Sequence, residues 1–137
     1  NIEEALKDVG GALMVKQACD LLCMPYDEMK ARLDERSILF YEVPEMYGEG
    51  EILIPAFQFQ GTFHIPSFHE VWDILINGCA TPRVCQFFTH ETLVENGRSI
   101  RDVLCANPTD DELMAIKQKA EAFAEEFMRQ AFEKEES

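Results

Sequence analysis

Hydrophobic positions recur at helical spacing along most of the chain and form short extended runs near its centre. Ile2, Leu6 and Val9 predict a short first helix, interrupted by Gly10-Gly11. Apolar groups at 14, 15, 18, 21 and 22 predict a second helix over 13–22. After a break at Cys23-Met24, Pro25 suits a first helical position. The helix it opens, through residue 36, buries Met29 and Leu33 on one face. Two short helices joined by three or four residues make a helix-turn-helix candidate. Residues 37–43 then predict a strand, the acidic, glycine-containing run 44–51 a turn, and 52–59 a return strand. That pair resembles the wing of a winged-helix unit. Pro55 puts the return strand at a sheet edge or its run at a bulge.

A connector at 60–66 leads to Ser67 and Glu70, spaced as a capping box. The helix that follows presents Phe68, Val71, Trp72, Leu75 and Ile76 as its buried stripe, and Asn77-Gly78 ends it. Thr81-Pro82 opens another helix, carrying Val84, Phe87 and Phe88. Ser99 and Asp102 form a weaker cap for a short helix that Asn107-Pro108 stops. Thr109 and Glu112 make a further capping box for the last helix. One side of that helix holds Leu113, Ile116, Ala120, Phe123, Phe127 and Ala131, and its other side is charged. The expected fold is mainly α with a small β-hairpin. A helix-turn-helix and wing unit over 1–60 would pack on a helical, partner-binding bundle over 61–137.

Composition narrows the function classes. The chain has 137 residues, enough for one domain or two closely packed halves, and 47% are hydrophobic, enough for a core. Its formal net charge of -14 opposes nonspecific binding to nucleic acid or an anionic membrane, and permits a basic protein partner. No run reaches the roughly 18 apolar residues of a membrane helix. Five cysteines, an odd count with no secretory segment before them, fit a reduced cytoplasmic setting.

Chemistry-bearing patterns are weak. Cys19 with Cys23, Cys79 with Cys85, and His64 with His69 lack zinc-site spacing, so no metal or cofactor is expected. Cys85 and His90 lack the surroundings of a nucleophile pair, the carboxylates show no acid and base arrangement, and no glycine-rich phosphate loop occurs. A catalytic site is not expected.

Four stretches carry a family resemblance: IPAFQF at 54–59, VWDIL at 71–75, TPRVCQFF at 81–88 and GRSIRDVL at 97–104. Over about half of the chain they resemble the toxin-binding domain of the Xre/MbcA/ParS antitoxin family. Phe87 and Phe88 match the family's aromatic pair, and Gly97, Arg98, Ser99 and Leu104 match its last motif. Ile100 stands where the family usually has proline, THETLVEN replaces an Asn-Pro-rich loop, and the long acidic last helix is unusual. The resemblance implies a toxin as protein partner and, through the N-terminal unit, self-repression of an operon.

The candidate DNA-contacting residues are Lys16, Tyr26, Lys30, Arg32 and Arg36. The third helix also carries Asp27, Glu28, Asp34 and Glu35, four acids against three bases, which is poor for a phosphate-lined groove. The candidate partner-binding residues are Phe87, Phe88, Arg98 and Ser99. Adjacent residues on a helix point about 100° apart, so Phe87 and Phe88 cannot both face one core; one is left to bind a partner unless the next helix covers it, which the small size of the domain favours. Arg98 has a structural alternative, anchoring its loop on backbone carbonyls. The expectation is a non-enzymatic transcriptional regulator or antitoxin-like protein, dimeric, that binds DNA, a protein partner (toxin or host factor), or both. The alternative is an acidic protein-interaction module that blocks a basic host factor, by nucleic-acid mimicry in its extreme form. If Lys16, Lys30, Arg32 and Arg36 converge into a strip, DNA binding gains; if neighbouring acids hold them, the protein reading gains.

Overall fold

A computed structural model describes residues 2–43 and 51–136. The protein is mainly helical with a small antiparallel sheet, and divides into two compact units, Asn1–His64 and Ile65–Ser137.

The first unit runs α1 (Ile2–Asp8), β1 (Ala12–Met14), α2 (Val15–Leu22), α3 (Tyr26–Asp34), β2 (Tyr41–Val43), β3 (Glu51–Pro55), β4 (Phe59–Gln60) and β5 (Phe63–His64). Strands β1 and β2 flank β3, both antiparallel to it, with Leu13 opposite Ile54 and Glu42 opposite Ile52. Residues 13 and 14, expected to begin the second helix, instead lie in the strand Ala12–Met14. Gly10 and Gly11, both at positive φ, reverse the chain so that Ala12–Met14 lies along β3. The helix begins only at Val15, where the Gln17 side chain accepts from the Met14 N–H at 2.8 Å.

Between α2 and α3, Cys23 takes a left-handed conformation with φ 52° and closes α2. Pro25 sits one place before the first helical residue rather than at it. Helix α3 also stops earlier than its polar sequence suggests. Arg36 adopts φ 58°, and the Ser37 N–H reaches back to the Arg32 carbonyl at 3.0 Å. That is a left-handed helix stop made without the usual glycine.

The expected return strand breaks at Pro55, which lacks a ladder donor; Ala56–Gln58 form a 3-10 turn instead. The connector after it folds into a second hairpin, β4 with β5, turning at Gly61 with φ 65°. Because β5 pairs with β4, residues 61–64 belong to the first unit. The turn expected over 44–51 lies, apart from Glu51, outside the described residues. The core gathers Ala18 and Leu22 from α2, Met29 and Leu33 from α3, and Ile38, Ile54 and Phe59.

One polar side chain is fully buried here. Gln58 accepts the Leu39 N–H at 2.9 Å and donates to the Leu39 and Pro55 carbonyls at 2.8 and 2.9 Å. The amide thus satisfies backbone groups that the broken strand leaves unpaired, which is what makes its burial tolerable.

The second unit contains α4 (Phe68–Leu75), α5 (Thr81–His90), α6 (Ile100–Cys105) and the 27-residue α7 (Asp110–Glu136). Its caps illustrate which sequence signals operate. Thr109 and Glu112 bond reciprocally, 3.0 Å from the Thr109 N–H to Glu112 Oε1 and 3.1 Å from the Glu112 N–H to Thr109 Oγ1. Ser99 Oγ accepts from the Asp102 N–H at 3.2 Å. The box expected at Ser67 and Glu70 does not form. Ser67 has φ 61° and makes no side-chain cap bond, and Glu70 pairs with Lys117 on α7 at 3.4 Å. A capping side chain needs an extended backbone at the cap, which Ser67 does not have. Near the end of α4, Gly78 meets the Ala124 backbone of α7 so closely that a Cβ would overlap the Ala124 carbonyl.

Candidate functional site

Helix α3 and the two elements beside it hold most of the residues that sequence reasoning assigned to DNA. Tyr26 and Lys30, four apart, share one exposed face, and Tyr26 retains 63% of its surface. Asp27 and Asp34 are exposed beside Lys30 on the same helix. Arg32, two residues beyond Lys30, lies about 200° round the helix and cannot share its face. Its Nη2 pairs with Glu28 at 3.3 Å, on side chains 44% and 48% exposed. Arg36 is off the helix altogether, past its left-handed stop, with its guanidinium 5.9 Å from the Phe40 ring centroid. Lys16 sits exposed in the first turn of α2. Neither Lys16 nor Lys30 makes an ion pair among the described residues. Lys30 and Arg32 therefore face different sides of α3, and Arg32 is held by an acid.

Beside α3 lies a cleft of about 240 Å³ that no sequence signal indicated. Its apolar wall comes from Leu22, Met24, Ile38 and Phe63, and its polar wall from Glu28 and Arg32. Phe63 stands 76% exposed at the tip of the second hairpin. The cleft is bounded by Leu22–Met24 at the turn between α2 and α3, by α3 itself, and by residues 62–64 of the β4–β5 hairpin, which was missed in the sequence. His64 also lines it, its Nε2 3.2 Å from Gln58 Oε1 and its ring tilted against Phe59 with centroids 5.0 Å apart.

In the second unit the aromatic pair is not at the surface. Phe87 and Phe88 are both fully buried. Helix α5 is covered on two sides: Phe88 packs 4.9 Å from Phe68 of α4, and Phe87 packs 5.3 Å from Phe123 of α7. Two neighbouring helices thus accommodate side chains 100° apart, and neither ring is available to a partner. Arg83, one turn before Phe87, is sandwiched over Phe123 and Phe127 at 4.7 and 4.8 Å and donates to Gln86 at 2.8 Å.

Ser99 is occupied as the cap of α6, and its backbone bridges to Thr92, closing the loop that carries Arg98. Lys119 Nζ donates to the Thr92 carbonyl at 2.6 Å, which pins that loop to α7. Arg98 is exposed. Its positive charge reaches Glu112, whose carboxyl is held below its ordinary 4.5, first by the Thr109 N–H and, more weakly, by Arg98.

Three of the thiols are shifted away from activation. Burial pushes Cys79 and Cys105 above the ordinary 9.0, and burial together with the Asp20 carboxylate does the same for Cys19. Cys85 is buried while His90 is exposed. Among the described residues no three His, Cys, Asp or Glu side chains are grouped to hold a metal ion, and no helix is long and apolar enough to cross a membrane. No family model, curated protein or solved structure matches this chain.

Proposed function

We propose that this is a non-enzymatic binding protein, antitoxin-like or inhibitory, whose outer α3 face docks a protein partner carrying basic side chains. The observation that carries the reading is the arrangement of charge on α3. Asp27 and Asp34 flank Lys30 beside an exposed Tyr26, while Arg32 is engaged by Glu28 and Arg36 lies off the helix. Such a face presents an aromatic anchor within a net negative surround. Exposed tyrosines are favoured anchors in protein interfaces, and complementary charge speeds and orients the encounter. Arg98, on the closed loop of the second unit, is the remaining candidate for a partner contact there.

A second reading, an operator-binding regulator, is supported by the element order α1, β1, α2, α3, β2, β3 with β3 central in the sheet, which resembles that of a winged-helix unit. In that reading α3 would be the recognition helix, and Lys30 its main phosphate or base contact.

Affinity purification of the tagged protein from its own cells, with and without nuclease, separates the two. The protein-docking reading expects a stoichiometric protein that survives nuclease. Recovery of one DNA fragment, lost on nuclease and without a protein companion, would overturn it.

A further inference from the structure

The cleft beside α3 has a feature its Glu28–Arg32 pair does not explain. Arg32 Nη2 contacts Glu28 at 3.3 Å, but Nε, on the same edge of the guanidinium, is buried with no hydrogen-bond partner. A carboxylate normally answers both donors of that edge, because the two parallel N–H groups match its two oxygens. Glu28 answers one. The apolar residues Leu22, Met24, Ile38 and Phe63 line the same cleft as Arg32 and Glu28.

We propose that the cleft binds a free α-amino acid with an apolar side chain. The ligand's carboxylate takes the Nε–Nη2 edge of Arg32, its ammonium takes the Glu28 carboxylate released from Arg32, and its side chain lies against Met24, Ile38 and Phe63. Three arguments converge. First, the cavity, at about 240 Å³, falls below the roughly 300–1,000 Å³ of drug-sized pockets, so its occupant is about the size of a single residue. Second, a zwitterion exchanges one neutral set of charge pairs for another. A ligand with only one charge would leave Glu28 or Arg32 unpaired as the cleft is desolvated. Third, the Glu28–Arg32 pair is half-exposed and makes a single contact, so opening it costs little. The site is separate from the outer α3 face, and stands or falls independently of what that face binds.

The test is isothermal titration calorimetry of the full chain with phenylalanine, 3-phenylpropanoate (the carboxylate alone) and phenethylamine (the amine alone). Saturable binding of phenylalanine, at least about tenfold tighter than either analogue, is expected from loss of a charge-assisted contact. R32Q and E28Q should each weaken phenylalanine by about tenfold or more, whereas D27N, on the same helix but outside the cleft, should not. The three-ligand comparison needs only the unaltered protein, so it holds even if a variant misfolds. No saturable binding of phenylalanine, equal binding of all three compounds, or undiminished binding by R32Q would overturn the proposal.

Discussion

Gln58 is the residue whose role in the first unit is most sharply defined. It is fully buried, and three backbone groups depend on its amide. Gln58→Leu would keep the volume roughly constant but leave the Leu39 N–H and C=O buried without partners. The expected cost is about 2–4 kcal/mol, read from urea unfolding followed by a probe within the first unit. The Glu28–Arg32 contact behaves differently. Both side chains are nearly half-exposed, so solvent screening leaves it worth only about 0.3 kcal/mol, and Glu28→Gln should barely move the unfolding midpoint. Glu112 supplies a pH-dependent contribution. Its folded carboxyl titrates below its ordinary 4.5, because the ionised form accepts the Thr109 N–H. A depressed acid stabilises the fold above the unfolded value, and the contribution fades as pH falls through the folded one. An NMR titration should place the Glu112 midpoint below 4.5. Replacing Thr109 with Gly, which keeps the backbone N–H but deletes the hydroxyl half of the box, should move it back toward the ordinary value.

At the scale of elements, the approach of α4 to α7 is limited by Gly78, which leaves room for no Cβ beside the Ala124 carbonyl. Gly78→Ala should cost about 1–3 kcal/mol in thermal or denaturant unfolding, because backbone rather than a flexible side chain must give way. The helices themselves were legible. Apolar spacing placed Met29 and Leu33 of α3, Phe68, Val71, Trp72 and Leu75 of α4, and Ile116 and Ala120 of α7 in the interior, but Ile76, expected in the α4 stripe, caps that helix and is exposed. Pro82, Ser99 and the Thr109–Glu112 pair marked real helix starts. What sequence could not supply were the consequences of long-range pairing. Ala12–Met14 reads as helix locally and becomes a strand only because β3 is beside it. The β4–β5 hairpin rests on two paired residues at each side, too few to leave an alternating pattern. The left-handed stops at Cys23 and Arg36 and the left-handed helix start at Ser67 use residues that carry no such signal, and they moved Arg36 off its helix and disabled the Ser67 box. The same limit applies to the site. The acids and bases of α3 could be counted in advance, but which of them face together depended on where the helix ended. The cleft depended on the unforeseen hairpin. Phe87 and Phe88 went to the interior because α4 and α7 cover both sides of α5, a fact of packing rather than of periodicity.

At the scale of the whole molecule, the net charge of -14 sets the long-range field. A phosphate backbone approaching the molecule meets net long-range repulsion, against which stand the exposed Lys16 and Lys30. Fluorescence anisotropy with a random-sequence duplex at low salt should therefore show no saturation in the micromolar range. Tight binding that weakens steeply with salt would mean that Lys16 and Lys30 act on phosphates after all.

The most direct test of the central claim is affinity purification, after nuclease treatment, of the unaltered protein and of a D27K/D34K variant side by side from their own cells. Both positions are exposed on α3, so the variant should fold while reversing the face that flanks Lys30 and Tyr26. A stoichiometric protein partner is expected on the unaltered chain and is lost from the variant. A partner retained equally by both, or a specific DNA fragment recovered in its place when nuclease is omitted, would contradict the central claim.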